Sequence, residues 1–144
     1  MEDHACEVRA EWVDYNGHLR DACYALIFSH AIDGLMDEIG LDAAGRARHG
    51  SSLYTVETHI RYLHEVRGGE RVRVQTRVVS HDAKRLRVAQ AMFGQHSVEP
   101  VATAEQVLLH VSMEGAKVVP FPEAVRKALG VTVDDPGLHP GYEA

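Results

Sequence analysis

Cysteine is nearly absent: Cys6 and Cys23 are the only two in 144 residues. Two thiols without metal-ligand spacing make neither a disulfide framework nor a zinc site, and they suit a reducing compartment. Long apolar runs are missing too. No stretch approaches the roughly 20 apolar residues that span a bilayer, and Glu2, Asp3 and Glu7 leave residues 1–10 without the apolar centre of a secretory signal. The expectation is a cytoplasmic protein with no membrane partner. Positive charge is in the minority, 15 Lys and Arg against 21 Asp and Glu, so nucleic acid is not an expected partner. Neither a Gly-x-Ser-x-Gly elbow nor a P-loop occurs. Ten histidines are present, but no pair has the i, i+4 helical or His-x-Cys-type spacing of a zinc site, and no metal is expected.

What is present is the composition of an ordinary globular protein, 45% hydrophobic and 25% charged. The length is that of one domain, large enough to bury a core without cross-links. The charge is unevenly spread. Between Arg61 and Arg87 lie eight of the fifteen basic residues, opposed by Glu65, Glu70 and Asp82, so an acidic chain carries one segment of net +5. Such a segment is either a set of solvated strand faces or a docking site for a small polyanion such as a nucleotide phosphate.

Residues 6–13 read as a short first strand, followed by the turn-rich Asp14-Tyr15-Asn16-Gly17-His18. Over residues 21–39 the apolar positions Tyr24, Phe28, Ala31, Leu35 and Ile39 recur at steps of three and four, with Ile27, Ile32 and Met36 beside them. Ser29, His30, Asp33 and Asp37 leave only a narrow polar stripe, so this is a helix buried on most sides, and Gly40 is placed to end it. A polar connection with Gly45 and Gly50 follows. The period then changes to two. Residues 52–66 put Tyr54, Val56, Thr58, Ile60 and Tyr62 on one face and Glu57, His59, Arg61 and Glu65 on the other. Gly68-Gly69, His81-Asp82 and residues 95–100 separate further strands over 71–79, 85–93 and 101–113. The last is apolar on both faces, as in the middle of a sheet. Pro122 opens a short helix through Leu129. The order predicts an α+β domain over residues 1–133, one long helix on an antiparallel sheet of about five strands. Residues 134–144, with two prolines and no periodicity, predict a loosely held tail.

The stretch Asp14-Tyr15-Asn16-Gly17-His18, with Tyr24 six residues further on the buried helix, resembles the Asp-x-x-Gly-His signature of hot-dog acyl-CoA thioesterases. The resemblance runs from about Val8 to Leu129. It includes residues 54–62, similar to the family's second strand, and Ala83-Lys84-Arg85-Leu86, similar to the turn into its fourth. More narrowly, residues 11–18 and 54–62 are similar to the thioesterases of carnitine catabolism, which act on betainyl-CoA. The resemblance implies a long central helix wrapped by the sheet, and active sites lying between the subunits of a homodimer or a dimer of dimers. It also implies a carboxylate at Asp14 acting as nucleophile or general base, with CoA as part of the substrate and no separate cofactor. Where the family usually has an asparagine two residues after the histidine, this chain has Arg20, which leaves Asp21 to cap the helix.

The residues themselves support part of this chemistry. A carboxylate just before a helix start lies near unpaired backbone N–H groups and the positive end of the helix dipole, a setting that stabilises an oxyanion. Gly17, without a Cβ, admits a thioester close to the backbone, and His18 is placed to orient Asp14 or a water. Read without the family, Asp14 is more simply a helix cap. Glu57 and His59 share a strand face that is either solvated or turned toward a partner subunit's site. Trp12, Tyr15, Tyr24 and Tyr54 are either core or a cage for a quaternary ammonium group. Lys84 and Arg85, then Arg87, follow a turn and suit phosphate oxygens. Two other activities remain open: a hydratase of the same fold, for which Asp14-x-Asn16 is present but the histidine comes one residue early, and an acyl-CoA-binding protein without turnover.

Overall fold

A computed structural model describes residues 2–132, and the expected tail over 134–144 lies outside them. The described chain runs β1 (His4–Glu7), a 3-10 turn (Ala10–Trp12), α1 (Asp21–Glu38), α2 (Ala43–His49), β2 (Ser51–Tyr62), β3 (Arg71–His81), β4 (Arg85–Phe93), β5 (Ala102–Ser112) and α3 (Glu123–Thr132). One antiparallel sheet holds the five strands in the order β1-β3-β4-β5-β2. The α+β expectation holds, with α1 laid along one face of the sheet.

Helix α1 buries the apolar face its pattern marks. Tyr24, Ile27, Phe28, Ala31, Ile32, Leu35 and Met36 are buried, but the exposed side is wider than the expected stripe of Ser29, His30, Asp33 and Asp37, since Asp21, Ala22, Leu26, Gly34 and Glu38 are exposed as well. Gly40 ends it at φ +89°, a conformation that costs glycine little and other residues more. The N-terminal half of α1 packs into a cluster with Val8, Val66, Val72, Val74 and Met92. Its C-terminal half packs into a second cluster with Leu53, Val78, Val88, Leu108, Phe121 and Leu129. Between them a polar ladder crosses the helix-facing side of the sheet. Gln90 Nε2 donates to the Phe28 carbonyl and to Thr76 Oγ1, Gln106 Nε2 donates to Gln90 Oε1 at 2.6 Å, and Thr58 Oγ1 donates to Gln106 Oε1. The two glutamines are 1% and 4% exposed, so the bonds from Gln90 to Phe28 and from Gln106 to Gln90 are made where water cannot substitute for them, while Thr58 at the end of the ladder is exposed.

Three expectations require correction. The strand expected over 6–13 stops at Glu7, because the chain turns through the 3-10 segment and only Val13 rejoins a ladder, bridging Leu19. The polar connection around Gly45 is a helix: Asp42 caps it by accepting from the Gly45 N–H at 2.8 Å, and Gly50 closes it at φ +62°. The third concerns β2, which ends at Tyr62 rather than 66 and does not keep one parity. Thr55 pairs with Leu108 and Glu57 with Val107, so Val56 is an extra residue in a β-bulge. Before the bulge the odd position Leu53 packs into the core; after it the even position Ile60 does. Tyr54 therefore points to the opposite face from Ile60 and Tyr62, against the simple alternation.

Candidate active site

The residues 14–18 form a self-contained turn rather than a helix start. Gly17 N–H donates to the Asp14 carbonyl at 2.9 Å, Asp14 N–H donates to the His18 carbonyl at 2.8 Å, and Gly17 sits at φ +78°. The Asp14 Oδ1 atom accepts from the backbone N–H of Asn16 (2.9 Å) and of His18 (3.2 Å). Helix α1 begins only at Asp21, with Arg20 in the capping position and making no side-chain cap. Asp14 thus caps its own turn, and the Gly17 amide, expected at the helix N-terminus, belongs to that turn. Asp21 Oδ1 takes the N–H of Ala22. The turn is stitched to the segment after β2: Leu19 N–H donates to the Val66 carbonyl, Gly68 N–H to the Gly17 carbonyl, and His18 bridges Arg67.

This stitching builds a cavity of about 560 Å³. On one side stand Asp14, Tyr15, His18, Arg20, Asp21 and Tyr24; on the other stand Tyr62, Leu63, His64 and Glu65. His18 Nε2 lies 3.3 Å from Glu65 Oε2, which fixes the imidazole across the opening. The backbone N–H of His18, helped by that of Asn16 and by the nearby His18 and Arg20 charges, holds the Asp14 carboxyl below the usual aspartate range despite its partial burial. Asp14 is therefore ionised at neutral pH. Burial, with Glu65 and Tyr62 beside it, pushes the Tyr24 phenol up, so it stays a donor to the His64 carbonyl.

The remaining sequence candidates divide. Tyr15 lines the cavity and is almost wholly exposed, and Tyr24 forms part of its wall. Trp12 does not line it; the indole is half-buried against the core with the Arg9 guanidinium 5.8 Å over its ring. Tyr54, across the bulge and near the other end of β2, points its hydroxyl at the Met113 sulfur. Glu57 and His59 are exposed on the sheet face away from α1, paired with Val107 and Glu105. Lys84 and Arg85 border a separate hollow of about 300 Å³ with Asp82, Leu109 and Val118. Arg87 instead forms an ion pair with the buried Glu105. Tyr62, His64 and Glu65 are cavity residues that the sequence reading left unassigned. The strand expected to run on to residue 66 ends at Tyr62, and the segment beyond it turns back along residues 14–19, which brings His64 and Glu65 to the cavity. A roomier hollow of about 700 Å³ between β1 and the outer side of α1, lined by Glu2, Asp3, His4 and Glu38 among others, holds none of the candidates. Among the described residues no three His, Cys, Asp or Glu side chains are grouped as metal ligands, and no helix is long and apolar enough to cross a membrane.

A long buried helix wrapped by a five-stranded antiparallel sheet is the hot-dog fold. A protein from Staphylococcus aureus solved in complex with CoA superposes with a TM-score of 0.87 over 99% of this chain and 92% of its own, at 23% identity. A crystal structure described as a thioesterase from Pseudomonas putida KT2440 matches at 45% identity and a TM-score of 0.80, covering 90% and 82% of the two chains. Residues 8–129 match the Thioesterase-like superfamily, and the chain belongs to that family as a thioester hydrolase. It is 52% identical over 114 residues to the betainyl-CoA thioesterase of Pseudomonas aeruginosa, covering 79% of this chain and 72% of that protein. It is 46% identical over 126 residues to an L-carnitine dehydrogenase/betainyl-CoA thioesterase of Agrobacterium fabrum, where it spans 88% of its own length and only 26% of the relative's.

Proposed function

We propose that the chain hydrolyses short acyl-CoA thioesters, betainyl-CoA among them, with Asp14 carrying the chemistry. The observation that supports this most is the position of an ionised carboxylate, fixed by two backbone amides, on the wall of a cavity large enough for an acyl group. Such an oxygen either attacks the thioester carbonyl directly, giving a mixed anhydride that water then cleaves to the free acid and Asp14, or takes a proton from an attacking water; both routes expel CoA as its thiolate. His18, held against Glu65, orients groups beside Asp14. The 3'-phosphate and diphosphate of CoA dock on Lys84 and Arg85, both on the surface at the turn before β4, where Arg85 exchanges its exposed ion pair with Asp82 for phosphate oxygens. No cofactor takes part in this scheme. The protein works in the cytoplasm as a homodimer or a dimer of dimers. The edge strand β2, exposed along most of its length, pairs with its symmetry mate and carries Glu57 and His59 toward the neighbouring site.

A thiol-release assay across betainyl, other short-chain, aromatic and long-chain CoA esters tests the proposal. Turnover is expected to be fastest among the short esters. Binding of CoA esters without thiol release would replace the enzyme by a binding protein.

A further inference from the structure

We infer that Tyr62, backed by Tyr24 and flanked by Glu65, is the element that reads a quaternary ammonium at the end of the acyl group. This deepens the hydrolase proposal above and rests on it. The two tyrosines are joined reciprocally. Tyr24 on α1 donates its hydroxyl to the carbonyl of His64 beyond β2, at 3.2 Å, and Tyr62 at the end of β2 donates its hydroxyl to the carbonyl of Asp21 on α1, at 3.4 Å. Both phenol hydroxyls are thus committed to backbone oxygens. With both donors used, what the side chains have left to offer a ligand is π surface and acceptor oxygen. A quaternary ammonium has no N–H to donate, so its partners must be π faces or carboxylates.

The two rings stand edge to face, with centroids 5.1 Å apart and planes at 89°, which holds the Tyr62 ring in place. Tyr24 is 4% exposed and Tyr62 is 52% exposed, so Tyr62 is the ring a ligand meets. Charge points the same way. The cavity wall carries the carboxylates of Asp14, Asp21 and Glu65 against the guanidinium of Arg20 and the imidazoles of His64 and of His18, the latter paired with Glu65. CoA is itself a polyanion, and a net-acidic wall favours its ester only if the acyl end brings positive charge. Glu65 is held on the wall by His18. Trp12 and Tyr54, named from the sequence as cage residues, do not line this cavity, and Tyr62 takes their place.

The test is the ratio of kcat/KM for betainyl-CoA to that for its uncharged isostere, tert-butylacetyl-CoA, on the full chain. Wild type is expected to favour the charged ester by roughly tenfold, the scale of a partly desolvated cation on an aromatic face. Tyr62→Leu is expected to bring the ratio to about one, and Tyr62→Phe, which keeps the ring, to preserve it. Glu65→Gln at its exposed position is expected to lower it about threefold by removing one charge. A ratio of rates is independent of the fraction of active enzyme, so partial misfolding does not imitate the effect. Should Tyr62→Leu fail to fold, Glu65→Gln decides. Wild type that discriminates, with either decisive variant keeping the full ratio, overturns this inference alone. Wild type that hydrolyses both esters equally removes the cationic substrate and this inference with it, and wild type that hydrolyses no CoA ester overturns the proposed function.

Discussion

Arg87 on β4 reaches diagonally to Glu105 on β5, and of the two only Glu105, 7% exposed, is sealed from water. Their ion pair lies on the sheet face away from α1. It separates Arg87 from its neighbours Lys84 and Arg85, which have no buried partner. Basic residues close in sequence thus divide into one that neutralises a buried charge and two at the surface, of which Arg85 pairs only with the exposed Asp82.

The division is measurable. Arg87→Met strands the Glu105 carboxylate and is expected to cost about 1–3 kcal/mol, several degrees in melting temperature. Arg87→Met combined with Glu105→Gln is expected to recover most of the loss. Lys84→Ala with Arg85→Ala is expected to leave the melting temperature near that of wild type and raise KM for CoA esters several-fold at little change in kcat. A double variant with unchanged KM would place the CoA phosphates elsewhere.

Asp14→Asn retains an oxygen that accepts the N–H groups of Asn16 and His18, so the turn is expected to form and the protein to fold. The amide is neither a nucleophile nor a base. A loss of at least ~10²-fold in kcat is expected, the scale of removing a general base. Activity within threefold of wild type would reduce Asp14 to the keystone of a turn.

The pH dependence follows from the same amides. Asp14 has a folded-state pKa depressed below its unfolded value, so the stability it contributes is present above the ordinary aspartate pKa and is lost as pH falls through the depressed one. The acid limb of kcat/KM is expected below the range of an unperturbed aspartate. Asn16→Pro, which deletes one of the two donors, is expected to move that limb toward neutral pH. A limb that does not move would assign the titration to another group.

Gly45 lies inside α2, where replacing glycine by alanine ordinarily stabilises. Here a Cβ would stand 1.9 Å from the Gly40 carbonyl oxygen. Gly45→Ala is expected to destabilise by roughly 1–3 kcal/mol through forced displacement of backbone. A melting temperature at or above wild type would show that the α1–α2 corner yields freely.

Sedimentation velocity across a dilution series is expected to show a dimer or larger species at assay concentrations. A stable and fully active monomer would remove the partner subunit from the site.

The long helix and the succession of strands along the chain were legible from their periodicities, α1 from Tyr24 to Ile39 and β5 apolar on both faces, whereas the placing of β2 beside β5 at the sheet edge was not. The motif around Asp14 was legible from its residue types. Its geometry was not, since the spacing cannot distinguish a carboxylate that caps a helix from one that caps the turn seven residues before it. The far wall of the cavity was hidden for another reason. Strand β2 stops at Tyr62, so His64 and Glu65 lie in the segment returning to the Asp14 turn rather than in a strand, while the bulge at Val56 displaces only Tyr54, before it, from its expected face. Helix α2 had its signals in Asp42 and Gly50, but at seven residues it is too short for a periodic pattern to prevail over its polar composition.

The glutamine ladder also constrains how the sheet assembles. Sliding β5 by two residues along β4 would keep its pleat in phase and its apolar side chains facing α1, so greasiness alone hardly opposes the slip. It would, however, carry Gln106 away from Gln90 and leave an amide inside the protein without its partner, a penalty of about 1–3 kcal/mol. The chain Phe28, Gln90, Gln106, Thr58 therefore works as a key cut for one alignment, reporting across three strands and a helix whether each has arrived at the correct rung.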